Sequence, residues 1–254
     1  MGCISMALYP QVVHWSMFYV KDPYHGHQLG RALARRALEF AGDRPVFGYA
    51  GQKTYGSLDM FLPIDWSVDR SNDGQSIALS IECAKCADVR PERLDHDSRV
   101  ELKDWREASF GKLLLFDRQV GIDRSAYLRK ALRLPQSAAM VAVCSETGDV
   151  VGLCQARHLL GDRLGISLFY ANSSSVASAL LVPFCFNLLC GSAKFDSFIY
   201  KTPSANMESV RLFRQLVQNG PVERRLFFPQ FSRYSLPFPG HRIYSIGDEH
   251  VSLI

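Results

Sequence analysis

Long apolar runs are scarce in this chain of 254 residues. The most apolar stretch, Val176 to Cys190, is broken by Ser178, Pro183 and Asn187. It falls short of the roughly 20 residues that cross a bilayer, so it reads as a core helix and no membrane partner is expected. An excess of one charge is also missing: 29 Lys and Arg against 25 Asp and Glu leave +4, too little to argue for a nucleic-acid partner. The seven cysteines are an odd set, and Cys144 and Cys185 sit inside apolar runs. They read as small buried thiols in a reducing, cytoplasmic compartment and not as a disulfide framework. No basic stretch followed by an apolar one opens the chain, so secretion is not expected. Neither a Walker phosphate loop nor a serine nucleophile elbow occurs. Cys83 and Cys86 form a lone CxxC with His96 nearby; without a second pair they read as two ordinary thiols, and no metal is expected.

What is present is ordinary globular composition, 47% hydrophobic and 21% charged, which excludes disorder or coiled coil for the whole chain. Gln11 to Val20 is rich in β-branched and aromatic residues and predicts the first strand, followed by a turn at Asp22 to His27. Leu29, Leu33, Ala37 and Phe40 recur at helical spacing and predict a helix from Gln28 to Ala41, with a second strand at Pro45 to Ala50. Composition then turns polar. The expected organisation is a first unit over residues 1–75, a linker over 76–97 and a second unit over 98–254. The second unit predicts a strand at Arg99 to Leu102 and helices over Phe110 to Val120 and Asp123 to Leu132, the latter capped by Asp123. Strands at Ala138 to Cys144, Val150 to Ala156 and Gly165 to Tyr170 lead to the core helix from Val176. A strand at Ser197 to Tyr200, a helix over Asn206 to Val217 and strands at Arg225 to Tyr234 and His241 to Ile246 complete an α/β pattern.

The strand, turn and helix around residues 20 to 33 carry the strongest motif. A helix start after a buried strand offers unpaired N–H groups and a positive dipole end, a binding place for a pyrophosphate; the bland reading is a glycine turn between a strand and a core helix. His25-Gly26-His27-Gln28-Leu29-Gly30, followed by Arg31, resembles the acyl-CoA loop of the GNAT acyltransferase superfamily: Arg or Gln, Gly, any residue, Gly, any residue, Gly or Ala. His25 and Gln28 depart from that pattern, Gln28 standing where a glycine normally lets phosphate approach the backbone. Further on, Phe116, Asp117, Arg118, Gly121, Asp123 and Arg124 resemble the C-terminal domain of tandem GNAT proteins of the YitH-like type. Gly165 to Ala171 with Ser173, and Tyr200 to Asn206 with Ser209, Leu212 and Phe213, follow in the same order.

The resemblance implies an α/β protein of two GNAT-like mixed-sheet units, the N-terminal one truncated. It implies transfer of an acyl group, acetyl from acetyl-CoA, to an amine acceptor. CoA phosphates would be held around His25, Gly26, His27, Gln28, Leu29, Gly30 and Arg31, with Ser173, Ser174 and Asn206 in corresponding places of the second unit. His14 would be the base and Tyr55 the hydroxyl acid, although a His within an aromatic strand is more often a hydrogen-bonded structural residue. The tyrosine that the family uses as acid falls at Phe213, which has no proton to give. That favours a second class of function, a degenerate acyl-CoA sensor or an interaction module. A first unit lacking its early strands would leave an open strand edge suited to a partner or to a homo-oligomer.

Overall fold

The computed structural model describes residues 1–51, 79–94, 99–185, 195–232 and 239–247. The chain divides into two units: Met1–Ala78 with Leu226–Pro237 and Asp248–Ile254, and Leu79–Arg225 with Phe238–Gly247.

In unit 1, β1 (Gly2–Leu8) pairs antiparallel with β2 (Val13–Val20), with a register shift between Ile4 and Met6. The sequence-based reading starts its first strand at Gln11 and misses β1. Its residues are mostly half-exposed, so neither face shows the apolar alternation that marks a strand. Helix α1 (Leu29–Ala41) lays Ala34, Ala37 and Ala41 onto Val13, Trp15 and Val46; three methyl side chains on one stripe let the helix sit close to the sheet. The next strand, β3 (Val46–Gly51), runs parallel to β2, and the last residues of β10 (Glu223–Phe231) pair antiparallel with it from Phe227↔Gly51 to Phe231↔Phe47.

Unit 2 opens with β4 (Leu79–Lys85), a strand where the sequence predicts part of a linker. Ser80 and Glu82 give this segment its polar look, yet both are buried: Ser80 Oγ donates to Glu82 Oε1 at 2.9 Å, and Arg224 Nε reaches Ser80 Oγ at 2.9 Å and Glu82 Oε1 at 3.3 Å. Polarity satisfied by partners is invisible to a hydrophobicity pattern. The strands β5 (Val100–Asp104), β6 (Ser137–Cys144), β7 (Val150–Leu159), β8 (Arg163–Ala171) and β9 (Ser197–Pro203) complete the sheet in the order β4-β9-β8-β7-β6-β5. All these pairings are antiparallel except β8 with β9. A short β11 (Ile243–Ser245) pairs antiparallel with β8.

Among the described residues of this unit four α-helices pack: α2 (Phe110–Arg118), α3 (Ser125–Ala131), α4 (Ser174–Phe184) and α5 (Met207–Leu216). Val176, Ala177, Leu180 and Leu181 of α4 and Leu212, Phe213 and Leu216 of α5 enter one core with Phe198, Tyr200 and Tyr244. At β7 a Cβ on Gly152 would stand 2.7 Å from Leu180 and 2.9 Å from Val176, so α4 rests directly on backbone there. Asp123 is not the N-cap of α3; Arg124 holds that position, and Asp123 Oδ1 instead accepts from the Ser125 N–H at 3.1 Å. Arg124 turns inward to a buried bidentate pair with Asp117 of α2, Nη2 to Oδ1 at 2.7 Å and Nε to Oδ2 at 3.1 Å, its guanidinium 5.0 Å from the centre of the Tyr170 ring. Burial alone would lower the Arg124 pKa; the Asp117 charge and hydrogen bonds overcome it and hold the guanidinium well above its ordinary value.

Candidate functional site

Strands β2 and β3 are hydrogen-bonded over only two register positions, Val13↔Val46 and His14↔Phe47, and then part. At the fork the chains are tight: a Cβ on Gly48 would meet the Trp15 carbonyl oxygen at 3.1 Å. Beyond it the facing edges of the two strands are not paired with each other. Six residues of β2 lead from His14 to Val20, about 20 Å at the rise of a strand. At that far end a cleft of about 670 Å³ opens, lined by Phe18, Val20, Tyr24, Gly26, Gln28 and Arg31 among others.

The turn into α1 shapes the mouth of this cleft. Gly26 has φ 81°, a left-handed conformation natural to glycine, and no atom lies within 4 Å of where its Cβ would be. Gln28, the N-cap of α1, is also left-handed, at φ 61°, and its side chain caps nothing. Its Oε1 lies 3.5 Å from Arg31 Nη1. The first intrahelical bond runs from the Ala32 N–H to the Gln28 carbonyl, so the Leu29 and Gly30 amides precede the helical ladder. The His25 ring folds back, with Nε2 2.7 Å from the Val20 carbonyl, and clips the turn to the end of β2. Of the other sequence-predicted residues, Leu29, Gly30 and Arg31 in the first turn of α1 line the cleft, whereas His27 is exposed and outside its lining; Tyr24 and Phe18 line the cleft without having been anticipated, and the signal for Tyr24 was its place in the turn itself.

His14 stands at the other end of β2, at the last paired position before the fork, fully buried with its ring 5.4 Å from that of Phe47. Tyr55 lies outside the described residues.

Unit 2 repeats the fork. Its β8 and β9 run parallel over Arg163↔Ser197, Leu164↔Phe198 and Gly165↔Ile199, then part. Here two of the three predicted ligand residues, Ser173 and Asn206, are already engaged within the chain. Ser173 caps α4, its Oγ accepting from the Val176 N–H at 3.3 Å, and Ser174 is the first residue of that helix. Asn206 caps α5 by accepting from the Ser209 N–H at 3.0 Å, and its Nδ2 donates to the carbonyls of Ile243 at 2.8 Å and His241 at 3.2 Å. Phe213 is buried and stacked on Tyr200 at 5.4 Å. Burial drives the Tyr200 hydroxyl well above its ordinary pKa, and the hydrogen bond with Ser209 Oγ at 3.2 Å offsets only part of that.

No helix among the described residues is long and apolar enough to cross a membrane. No protein-family model matches the chain, and no curated protein sequence matches it. Solved structures do. A protein from Pyrococcus horikoshii provisionally identified as an acetyltransferase superposes with TM-score 0.69 at 15% identity, over 98% of this chain and 75% of that one. A tandem GNAT protein of clavulanic acid biosynthesis gives 0.64 at 13% identity, over 92% and 80%. A GCN5-related N-acetyltransferase from Sphaerobacter thermophilus gives 0.57 at 11%, over 95% and 78%. At such identities the likeness is one of architecture, and on it the chain has the α/β fold of the GCN5-related N-acetyltransferases.

Proposed function

We propose that the chain is an acyl-CoA-dependent N-acyltransferase that works in unit 1, passing acetyl from acetyl-CoA to an amine. The observation that carries this reading is the parallel pair β2 and β3, which parts beyond His14↔Phe47 and leads along β2 to a cleft at the start of α1. Backbone amides at Leu29 and Gly30, the helix dipole and the Arg31 guanidinium suit the CoA diphosphate. The pantetheine arm would run between the strand edges that part at the fork, bringing the thioester towards His14. There the amine nitrogen attacks the carbonyl carbon; the C–N bond forms, the C–S bond breaks, and the proton lost by the amine goes to His14 directly or through water. The leaving thiolate takes a proton from a donor that we assign to Tyr55. Asp117, Arg118, Gly121, Asp123 and Arg124 support the narrower reading of unit 2 as the C-terminal domain of a YitH-like tandem protein.

Gln28 favours a second reading, a sensor that binds without turnover, because its side chain stands at the mouth of the cleft where the family keeps glycine. Thermal unfolding with millimolar acetyl-CoA tests what the two share: at a hundredfold excess over Kd a ligand of the folded state adds about 2.7 kcal/mol, roughly 5 to 11 °C in a chain of this size. Gly26→Ala, which forces a left-handed Ala at a cost of about 1–2 kcal/mol to the bound turn, should cut that shift to between roughly a third and two thirds. Thiol release with a panel of amines then separates enzyme from sensor. The absence of any shift in the unsubstituted protein rules out both.

A further inference from the structure

The fork of unit 2 holds a strand. Where β8 leaves β9, β11 takes over its free edge, with Ile243 opposite Tyr170 and Ser245 opposite Phe169. The other side of the same segment binds β9: the Lys201 N–H donates to Ser245 Oγ at 3.1 Å, and the Ile246 N–H donates to the Lys201 carbonyl at 3.3 Å. Ser245 Oγ donates in turn to the Ile166 carbonyl at 3.0 Å, so one hydroxyl bridges both arms of the fork. Three side chains grip the segment's backbone from outside: Asn206 at the carbonyls of His241 and Ile243, Ser209 Oγ at that of Tyr244 at 2.6 Å, and Lys201 Nζ at that of Gly247 at 3.1 Å. Ile243, Tyr244, Ser245 and Ile246 are all buried.

The reason lies in the neighbouring strand. β4 pairs with β9 along its whole length, seven positions from Leu79↔Pro203 to Lys85↔Ser197, so the outer edge of β9 is closed. The second half of β8 is buried on both faces, and its backbone groups on the fork side have lost β9; left unpaired they would each carry a desolvation cost. A segment of extended backbone placed in the fork satisfies both arms.

We infer that residues 243–246 are a resident strand ligand of unit 2, occupying in cis the fork between β8 and β9, so that of the two forks only that of unit 1 takes acyl-CoA. The inference rests on the reading of the forks as pantetheine sites. Asn206, which the sequence offers as a cofactor contact, is then a clamp on the segment.

Hydrogen exchange on the full chain, followed peptide by peptide with and without acetyl-CoA, tests this. Amides of 169–171, 201–202 and 243–246 should exchange at least a hundredfold more slowly than those of the exposed turn at 146–149, and acetyl-CoA should leave them unchanged. Ser245→Ala, a small change that removes the bridging hydroxyl, should speed exchange at Lys201 about tenfold while other peptides of unit 2 stay protected. Titration calorimetry should give one acetyl-CoA per chain. Fast exchange at 243–246 in the unsubstituted protein, or a ligand that speeds it, or two ligands per chain, overturns the inference. A separate result, no protection of Leu29 to Arg31 on adding acetyl-CoA, counts against the site in unit 1 and leaves the seating of the segment to be judged by its own exchange rates.

Discussion

Replacing Asp117 by Asn would remove the carboxylate charge that pairs with the Arg124 guanidinium inside the α2–α3 corner. The side chains of Arg124 and Asp117 are 3% and 2% exposed, so water cannot take the place of the lost carboxylate. An asparagine can still accept one hydrogen bond, but the cation would keep its desolvation cost without the carboxylate charge that now offsets it. Breaking a buried pair from one side in this way costs about 3–5 kcal/mol, a large part of the 5–15 kcal/mol by which a typical protein is stable. At about 2–4 °C per kcal/mol, the melting temperature should fall by roughly 6 to 20 °C. Two further variants isolate the cause. Asp123→Asn breaks the neighbouring pair with Arg118, 3.1 Å apart but 55% and 40% exposed, and should change the melting temperature far less. The double variant Asp117→Leu, Arg124→Met removes both charges and should recover most of the loss, because no unpaired ion stays inside. Differential scanning calorimetry on the three proteins decides the matter. A fall for Asp117→Asn no larger than that for Asp123→Asn would show that the buried pair does not hold the corner.

Two other outcomes follow from ionisation. Cys144 has its thiol pKa lowered by the backbone and side-chain hydrogen bonds of Thr147, whereas burial, Asp196 and Cys83 push Cys86 up to about 12. Brief alkylation at neutral pH followed by peptide mapping should therefore find Cys144 modified well before Cys86, with buried Cys154 unmodified; equal labelling of Cys86 and Cys144 would contradict this. Asp123 and Asp149 are both held below the ordinary value of 3.8, the first by hydrogen bonds from Ser125 and the second by Lys112. A carboxylate depressed in the folded state stabilises it above the unfolded value, and that contribution disappears as pH falls through the folded one. The melting temperature should drop on going from pH 5 to pH 3, and drop less in Asp149→Asn, an effect absent if the Lys112 pair contributes nothing.

Much of the architecture was legible because strong local signals agreed with the tertiary structure. The 3.6-residue period of α1, the strands β6 and β7 and the apolar α4 appear close to where the pattern puts them. β4 escaped because Ser80 and Glu82 are buried and paired with the exposed Arg224, a partner far along the chain, and β1 because it is half-exposed on both faces. For the candidate site, the glycine of the turn was readable at Gly26, since only its conformational freedom is needed. The fates of Ser173 and Asn206 were not, because a polar side chain at a helix start has the same sequence signature whether it caps the helix, clamps a strand or waits for a ligand. Which edge a three-residue strand joins is equally silent: β11 is chosen by β4 having filled the alternative.

That choice has a bearing on how the protein is made. The edge of β8 that β11 covers is translated long before its partner, so a nascent chain carries a buried-type, apolar strand with an open flank until residues 243–246 leave the ribosome. Stalling or cleavage upstream of Gly240 would leave that flank permanently bare, and such fragments are the ones for which chaperone capture and edge-to-edge aggregation should be most pronounced.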